Sequence, residues 1–279
     1  MSTTAGRVSP SDFVEMKRKG ERIVGATAHD VVSGRLGDEA GLDFVVVGDS
    51  TAIAVLGHDS VIPSTVDQII LFCQATVRTC VRPLVVADMP FGSYHVSDED
   101  AVRNAVRFIK EGGADAVKCD STLLPVPKMA LRIRAIVDAG IATMAHLTSH
   151  LGNACRAEDA KELYEGALAL EAAGSFAVML ECVPGPVADV ITKALRVPTL
   201  GYGCGAGCDG QDVGFFEAVG YFVGPQDSHM KTYGNLYADA KAALEAYAAE
   251  VRDGTFPQAE HTVTIDEKEL ARFEASLGG

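Results

Sequence analysis

The chain has 279 residues, 48% of them hydrophobic, and its 38 acidic against 24 basic side chains give a formal net charge of −14. That charge argues against nucleic acid as a partner, because phosphate binding needs clustered Lys and Arg. The N-terminus MSTTAGRVSPSDF lacks an apolar signal core and no apolar run approaches spanning length, so a cytoplasmic protein with no membrane partner is expected, its seven cysteines free thiols.

In chain order, SPSDFVEMKRKG at 9–20 reads as an N-terminal helix. Eight short apolar runs then read as strands, at 22–27, 43–48, 83–88, 115–119, 141–146, 176–182, 197–202 and 218–223. Amphipathic segments alternate with them, among them TVDQIILFCQATVRTC, SDEDAVRNAVRFIKEGG and AEDAKELYEGALALEAAG, several ending in the Gly common past helix C-termini. YADAKAALEAYAAEVRDG at 237–254 reads as a long C-terminal helix followed by a polar tail. Eight alternating units predict an α/β fold, a (β/α)8 TIM barrel filling residues 1–279 as one domain. A doubly wound open sheet is the alternative. It is weakened because GYGCGAG follows the seventh strand and no G-x-G-x-x-G follows the first.

Four of the runs end in an acid: Asp49 in VVVGDS, Asp88 in LVVADMP, Asp120 in AVKCDS and Glu181 in AVMLEC. Such positions lie at the face of a barrel where catalytic groups collect, and a carboxylate there needs a pair, hydrogen bonds or a metal. One strand-end Asp alone is as readily a cap for the next helix, but Asp49, Asp88 and Asp120 together predict a magnesium-type site of carboxylate oxygens. Alternation puts Lys118 on the same side as Asp120, where it would offset the charge of a bound acid. Glu181, flanked by Leu and Cys, is the candidate general base, with a raised pKa expected from that setting. Its plainer reading is a buried partner of Lys118 or an Arg. His146, at the end of the fifth strand, is a pocket candidate, equally readable as a satisfied core histidine. His58 and Asp59 read first as loop-structuring. Cys204 and Cys208, in GYGCGAGCDG, make only a weak zinc pattern.

With these residues in place the chain resembles the ketopantoate hydroxymethyltransferase family (3-methyl-2-oxobutanoate hydroxymethyltransferase) of pantothenate biosynthesis, over roughly residues 11–262. The resemblance is carried by VVVGDS, LGHDSVIPSTVDQI, VVADMPFGSY, GGADAVKCD, ALALEAAGSFAVMLECVP and MKTYGNL…YAAEVRDGTFPQAEH. It implies a barrel of the phosphoenolpyruvate mutase and isocitrate lyase type, assembled as a homo-oligomer (a decamer in the family) with the N-terminal helix at an interface. Asp49 and Asp88 would bind a divalent metal, usually Mg2+, and Asp120 stands where the family has its third acid, normally a glutamate. Ser50, Asp88 and Lys118 would contact a small-molecule 2-oxoacid, His146 would line the pocket and Glu181 would accept the proton. The implied reaction carries a hydroxymethyl group from methylenetetrahydrofolate to C3 of 3-methyl-2-oxobutanoate through a metal-stabilised enolate.

The sequence departs from the family pattern near the site. HLTSHLGNACRAED replaces His-Leu-Gly-Leu-x-Pro-Gln and the loop that follows it, and Asp120 is one methylene shorter than the usual glutamate. GYGCGAGCDGQD replaces Gly-Ile-Gly-Ala-Gly, Phe216-Glu217 replaces a His-Asp pair and His29 replaces a tyrosine. These changes leave open a second activity, aldol-type C–C chemistry on a different 2-oxoacid or with a different electrophile.

Overall fold

A computed structural model describes residues 6–122, 124–149, 155–224 and 229–278. Short, mostly apolar runs form the first seven strands because their side chains pack on both faces of a parallel sheet, and a two-residue eighth strand completes the set. They are β1 Ile23–Thr27, β2 Phe44–Val47, β3 Leu84–Asp88, β4 Ala116–Asp120, β5 Thr143–Thr148, β6 Ala177–Glu181, β7 Thr199–Tyr202 and β8 Gly210–Gln211. All neighbours are parallel, and β8 closes on β1 to complete an eight-stranded barrel.

The helices begin with α1 Pro10–Lys19, α2 Val31–Glu39, α3 Thr51–Ala54, α4 Val66–Val77, α5 Asp98–Lys110 and α6 Val126–Asp138. Then come α7 Ala157–Ala172, α8 Gly185–Ala194, α9 Phe215–Ala218, α10 Leu236–Asp253 and α11 Glu267–Leu277. Local chemistry sets several starts. Asp30 accepts from the Ser33 amide at α2, Thr65 from the Gln68 amide at α4 and Ser97 from the Asp100 amide at α5, each satisfying an otherwise free N–H.

Side-chain alternation along the strands makes two cores. One lies between barrel and helices and contains Val45, Val85, Val117, Ala145 and Leu180. The other fills the barrel with Ile23, Phe44, Val46, Leu84, Val86, Ala116, Met144, Ala177, Met179 and Leu200. Phe13 of α1 closes this interior core, meeting Phe44 and Phe176 edge-on at centroid distances of 5.6 and 5.5 Å.

Two expectations are corrected. The eighth strand is Gly210–Gln211, whereas 218–223 carries the end of α9 and irregular chain. Gly220 has φ of 68°, which interrupts any extended run there. At Gly210 a Cβ would sit 2.3 Å from the Ile23 carbonyl oxygen, so only glycine lets β8 enter the closing gap. The C-terminal tail is not merely polar: it holds a 3-10 turn at Ala259–His261 and α11. The altered loop after β5 lies partly outside the described residues, at 150–154.

Candidate active site

The inward rows that build the lower core continue upward into polar residues at the C-terminal ends of the strands. Register explains who meets whom: Asp88 pairs with Lys118, Asp120 with His146 and Glu181 with Thr148. Lys118 Nζ lies 2.9 Å from Asp88 Oδ2 and 3.0 Å from His146 Nδ1. His146 in turn sits between two acids, with Nδ1 3.1 Å from Asp120 Oδ2 and Nε2 2.9 Å from Glu181 Oε2. The Nε2 approach is close but not aligned as a hydrogen bond, so that attraction is ionic in character. Asp120 is also held by the Thr122 amide and hydroxyl at 2.7 and 2.6 Å. The Tyr94 hydroxyl donates to the Asp120 carbonyl at 2.8 Å, which fixes the strand end.

Burial and mutual charge set the protonation of this cluster. Burial works against an ionised Asp120, but His146 and Lys118 outweigh it and hold the carboxyl far below its usual range. Burial likewise opposes charge on His146, yet Asp120 raises it to about 9. Lys118 is buried, and Asp88, Asp120 and Asp49 still keep it charged. Glu181 differs from the sequence expectation. Burial raises it, but the contact with His146 prevails and its pKa is lowered. At neutral pH it is a carboxylate able to accept a proton, though one of modest basicity.

Asp49 and Asp88 share the positive charge of Lys118, but it does not offset their burial. Burial and then the charge of Asp88 push Asp49 up to about 8, and burial raises Asp88 as well. Asp88 Oδ1 is buried without a hydrogen-bond partner. Two adjoining carboxyls raised despite Lys118, one with an orphaned oxygen, suit a hard divalent cation. The described ligand atoms that lie within 4.8 Å of one another are instead those of Asp120, His146 and Glu181. That proximity is already explained by an imidazolium between two carboxylates, and a protonated imidazole offers no lone pair to a metal. The donor set therefore favours Asp49 and Asp88, with Asp120 held off by His146.

These groups line one cavity of about 330 Å3 that also includes Ser50, Thr27, His29, Thr148, Tyr202, Asp212, Phe216 and Glu217. All seven residues expected at the site (Asp49, Ser50, Asp88, Lys118, Asp120, His146 and Glu181) come together there. His58 is exposed and lines a neighbouring surface pocket with Phe216 and Tyr237 rather than this cavity. Cys204 and Cys208 are buried free thiols, Cys204 bonding the Leu180 carbonyl at 3.1 Å. Asp212 went unnoticed in the sequence because its strand was placed too late. Read as the residue after the Gly210–Gln211 strand, it obeys the same strand-end rule as Asp88 and Glu181.

The closed parallel barrel with its candidate site at the strand C-termini is a TIM barrel. It superposes with a TM-score of 0.61 on 2,3-dimethylmalate lyase, a member of the phosphoenolpyruvate mutase/isocitrate lyase superfamily, at 18% identity and covering 97% of this chain and 99% of that one. Phosphonopyruvate hydrolase, solved in complex with oxalate and Mg2+, gives 0.61 at 15% identity, with 96% and 95% covered. The family model for ketopantoate hydroxymethyltransferase matches residues 7–259. The chain is 43% identical over 274 residues to 3-methyl-2-oxobutanoate hydroxymethyltransferase of Heliobacterium modesticaldum, covering 95% of this chain and 98% of that one. Its counterpart in Moorella thermoacetica is 45% identical over 266 residues, with 92% and 97% covered. The chain belongs to the ketopantoate hydroxymethyltransferase family and is an enzyme of the transferase class. No helix among the described residues is long and apolar enough to cross a membrane.

Proposed function

We propose that this enzyme moves a one-carbon hydroxymethyl group from methylenetetrahydrofolate to C3 of a 2-oxoacid, with 3-methyl-2-oxobutanoate, the acceptor for which its relatives are named, giving ketopantoate. The observation that carries the reading is the buried Asp88–Lys118 pair beside an unpartnered carboxylate oxygen, facing Glu181 across one cavity. Asp49 and Asp88 would hold a divalent metal such as Mg2+. When bound, it supplies positive charge beside the acid's carboxylate and keto oxygens and acidifies C3–H.

The protein's own groups account for the rest. Ser50 and Lys118 bind and orient the 2-oxoacid. Glu181, ionised at neutral pH, takes the C3 proton, and Lys118 meets the negative charge that develops on the keto oxygen. The one-carbon unit bridges two folate nitrogens, so two C–N bonds break: the C3 electron pair replaces one nitrogen as it forms the new C–C bond, and water replaces the other and supplies the hydroxyl. The proton from C3 and the proton that water gives up end one on each folate nitrogen. His146 holds Glu181 and Asp120 in place throughout. The seven free cysteines suit a reducing cytoplasm. A homo-oligomeric assembly is part of the same reading.

Purified protein with Mg2+, methylenetetrahydrofolate and 3-methyl-2-oxobutanoate is expected to form ketopantoate, detected by mass spectrometry. Absence of hydroxymethylated product from a panel of 2-oxoacids, with either the folate or free formaldehyde as donor, overturns the proposal.

A further inference from the structure

The cavity has two unlike walls. On β3 to β6 the charged groups meet opposite charges, Lys118 against Asp88 and His146 between Asp120 and Glu181, although Asp88 Oδ1 and His146 Nε2 lack an aligned hydrogen bond. The wall from β1, β8 and α9 is different. There Asp212 Oδ1 and His29 Nδ1 are buried with no hydrogen-bond partner. Asp212 is 9% exposed and His29 2%, and both line the cavity. The His29 ring stacks on Phe216 with centroids 5.1 Å apart and planes 18° from parallel, which fixes the imidazole in this wall. His29, Asp212, Phe216 and Glu217 are also positions or segments at which the sequence leaves its family pattern, and the fold brings them together around one region.

Buried polar groups without partners cost stability, so a wall that carries two is arranged for something that bonds them. An ordered water can serve while the pocket is empty, but an apolar substrate group that displaces it strands the carboxyl, whereas a hydroxyl replaces its bonds. A second carboxylate fits poorly, because Asp49, Asp88, Asp120, Glu181 and Asp212 already line the cavity against Lys118 and His146.

We infer that this enzyme takes a 2-oxoacid whose C3 substituent carries a hydroxyl in preference to one with a purely apolar side chain, and that Asp212 with His29 binds that hydroxyl. The inference rests on the transferase reading and narrows its acceptor. Burial pushes Asp212 up to about 7, so near neutrality the carboxyl both accepts and donates.

Exchange of the C3 proton into deuterated water tests this before any one-carbon donor is added. The matched acids are 3-methyl-2-oxobutanoate and 3-hydroxy-2-oxobutanoate, in which one methyl becomes a hydroxyl of similar size. Their intrinsic acidities differ, so the readout for each acid is its kcat/KM ratio between the unaltered enzyme with Mg2+ and a variant. Asp212→Val is expected to lower exchange of the hydroxy acid at least about 10-fold more than exchange of the methyl acid. Asp212→Ala, which removes the same carboxyl with less bulk, is expected to do the same and covers the case in which the valine variant fails to fold, whereas Asp212→Asn, which keeps the volume and a hydrogen-bonding group, is expected to retain most of the discrimination. If Asp212→Val, or Asp212→Ala in its absence, alters both acids alike or neither, the inference is overturned and the transferase reading stands. A role confined to the newly transferred hydroxyl gives that same null result. If the unaltered enzyme exchanges neither acid, both fall together.

Discussion

At the scale of single residues, His146 organises the site through charge. It stays protonated because Asp120 and Glu181 flank it, and the same contact keeps Glu181 ionised despite burial. Glu181→Gln removes the proton acceptor without changing side-chain size, and C3-proton exchange is expected to fall by at least about 100-fold while thermal unfolding shifts little. Asp88→Asn removes charge beside its own orphaned oxygen, so Mg2+ titrated calorimetrically into the variant is expected to bind about 10-fold or more weakly. His29 yields a stability prediction. Burial lowers its pKa from 6.5 to about 4, so the folded protein binds fewer protons than the unfolded chain below pH 6.5. The neutral ring's contribution is therefore full above 6.5 and lost as pH falls toward 4, by about 3 kcal/mol in total. Denaturant unfolding at pH 7 and pH 5 is expected to show a smaller acid loss in His29→Gln, by about 2 kcal/mol. Which acids face the pocket was legible, because alternation along a strand fixes it from the sequence. Their protonation was not. Glu181 looked set for a raised pKa from its apolar neighbours in sequence, and its decisive neighbour, His146, comes from the adjacent strand.

At the scale of elements, the first seven strands announced themselves as apolar runs, whereas β8 carries no such run. Two residues with a glycine do not look like a strand, and the AVGYFV segment nearby does. What decides between them is the space left between β7 and β1. Leu200 and Ile23 both pair with Gly210, and a Cβ there meets the Ile23 carbonyl oxygen at 2.3 Å, a backbone atom that cannot swing aside, with Ile23 Cβ and Leu200 Cδ2 at 2.7 and 2.8 Å. Gly210→Ala is thus expected to destabilise the protein by about 2 kcal/mol or more, and to disturb Asp212 two residues on, so C3-proton exchange falls along with the unfolding midpoint. The N-terminal helix was legible as a helix, but its task was not. Phe13 closes the barrel floor against Phe44 and Phe176, and Phe13→Ala is expected to cost about 3–5 kcal/mol in denaturant unfolding with the distant site's exchange rate per folded molecule preserved.

At the scale of the whole molecule, the barrel accounts for the interior but not for the C-terminal helices. α10 and α11 have no buried residue, while Leu244 is 68% exposed, Tyr247 55%, Phe273 55% and Leu277 68%. Apolar side chains in such number on two helices are out of keeping with an isolated chain and suit the proposed homo-oligomer. The net charge of −14 opposes association, since copies repel one another. The two effects separate with salt. Added salt screens the repulsion and leaves apolar burial intact, so an assembly made through these helices is expected to persist or tighten as ionic strength rises, where one held by ion pairs loosens. Sedimentation velocity across a salt series reads this directly. Leu244→Lys with Tyr247→Lys is expected to shift the population toward smaller species at every salt concentration while leaving C3-proton exchange measurable, because neither residue lines the site cavity. An unaltered chain that sediments as a monomer throughout, or an assembly indifferent to the double substitution, excludes these helices as the interface.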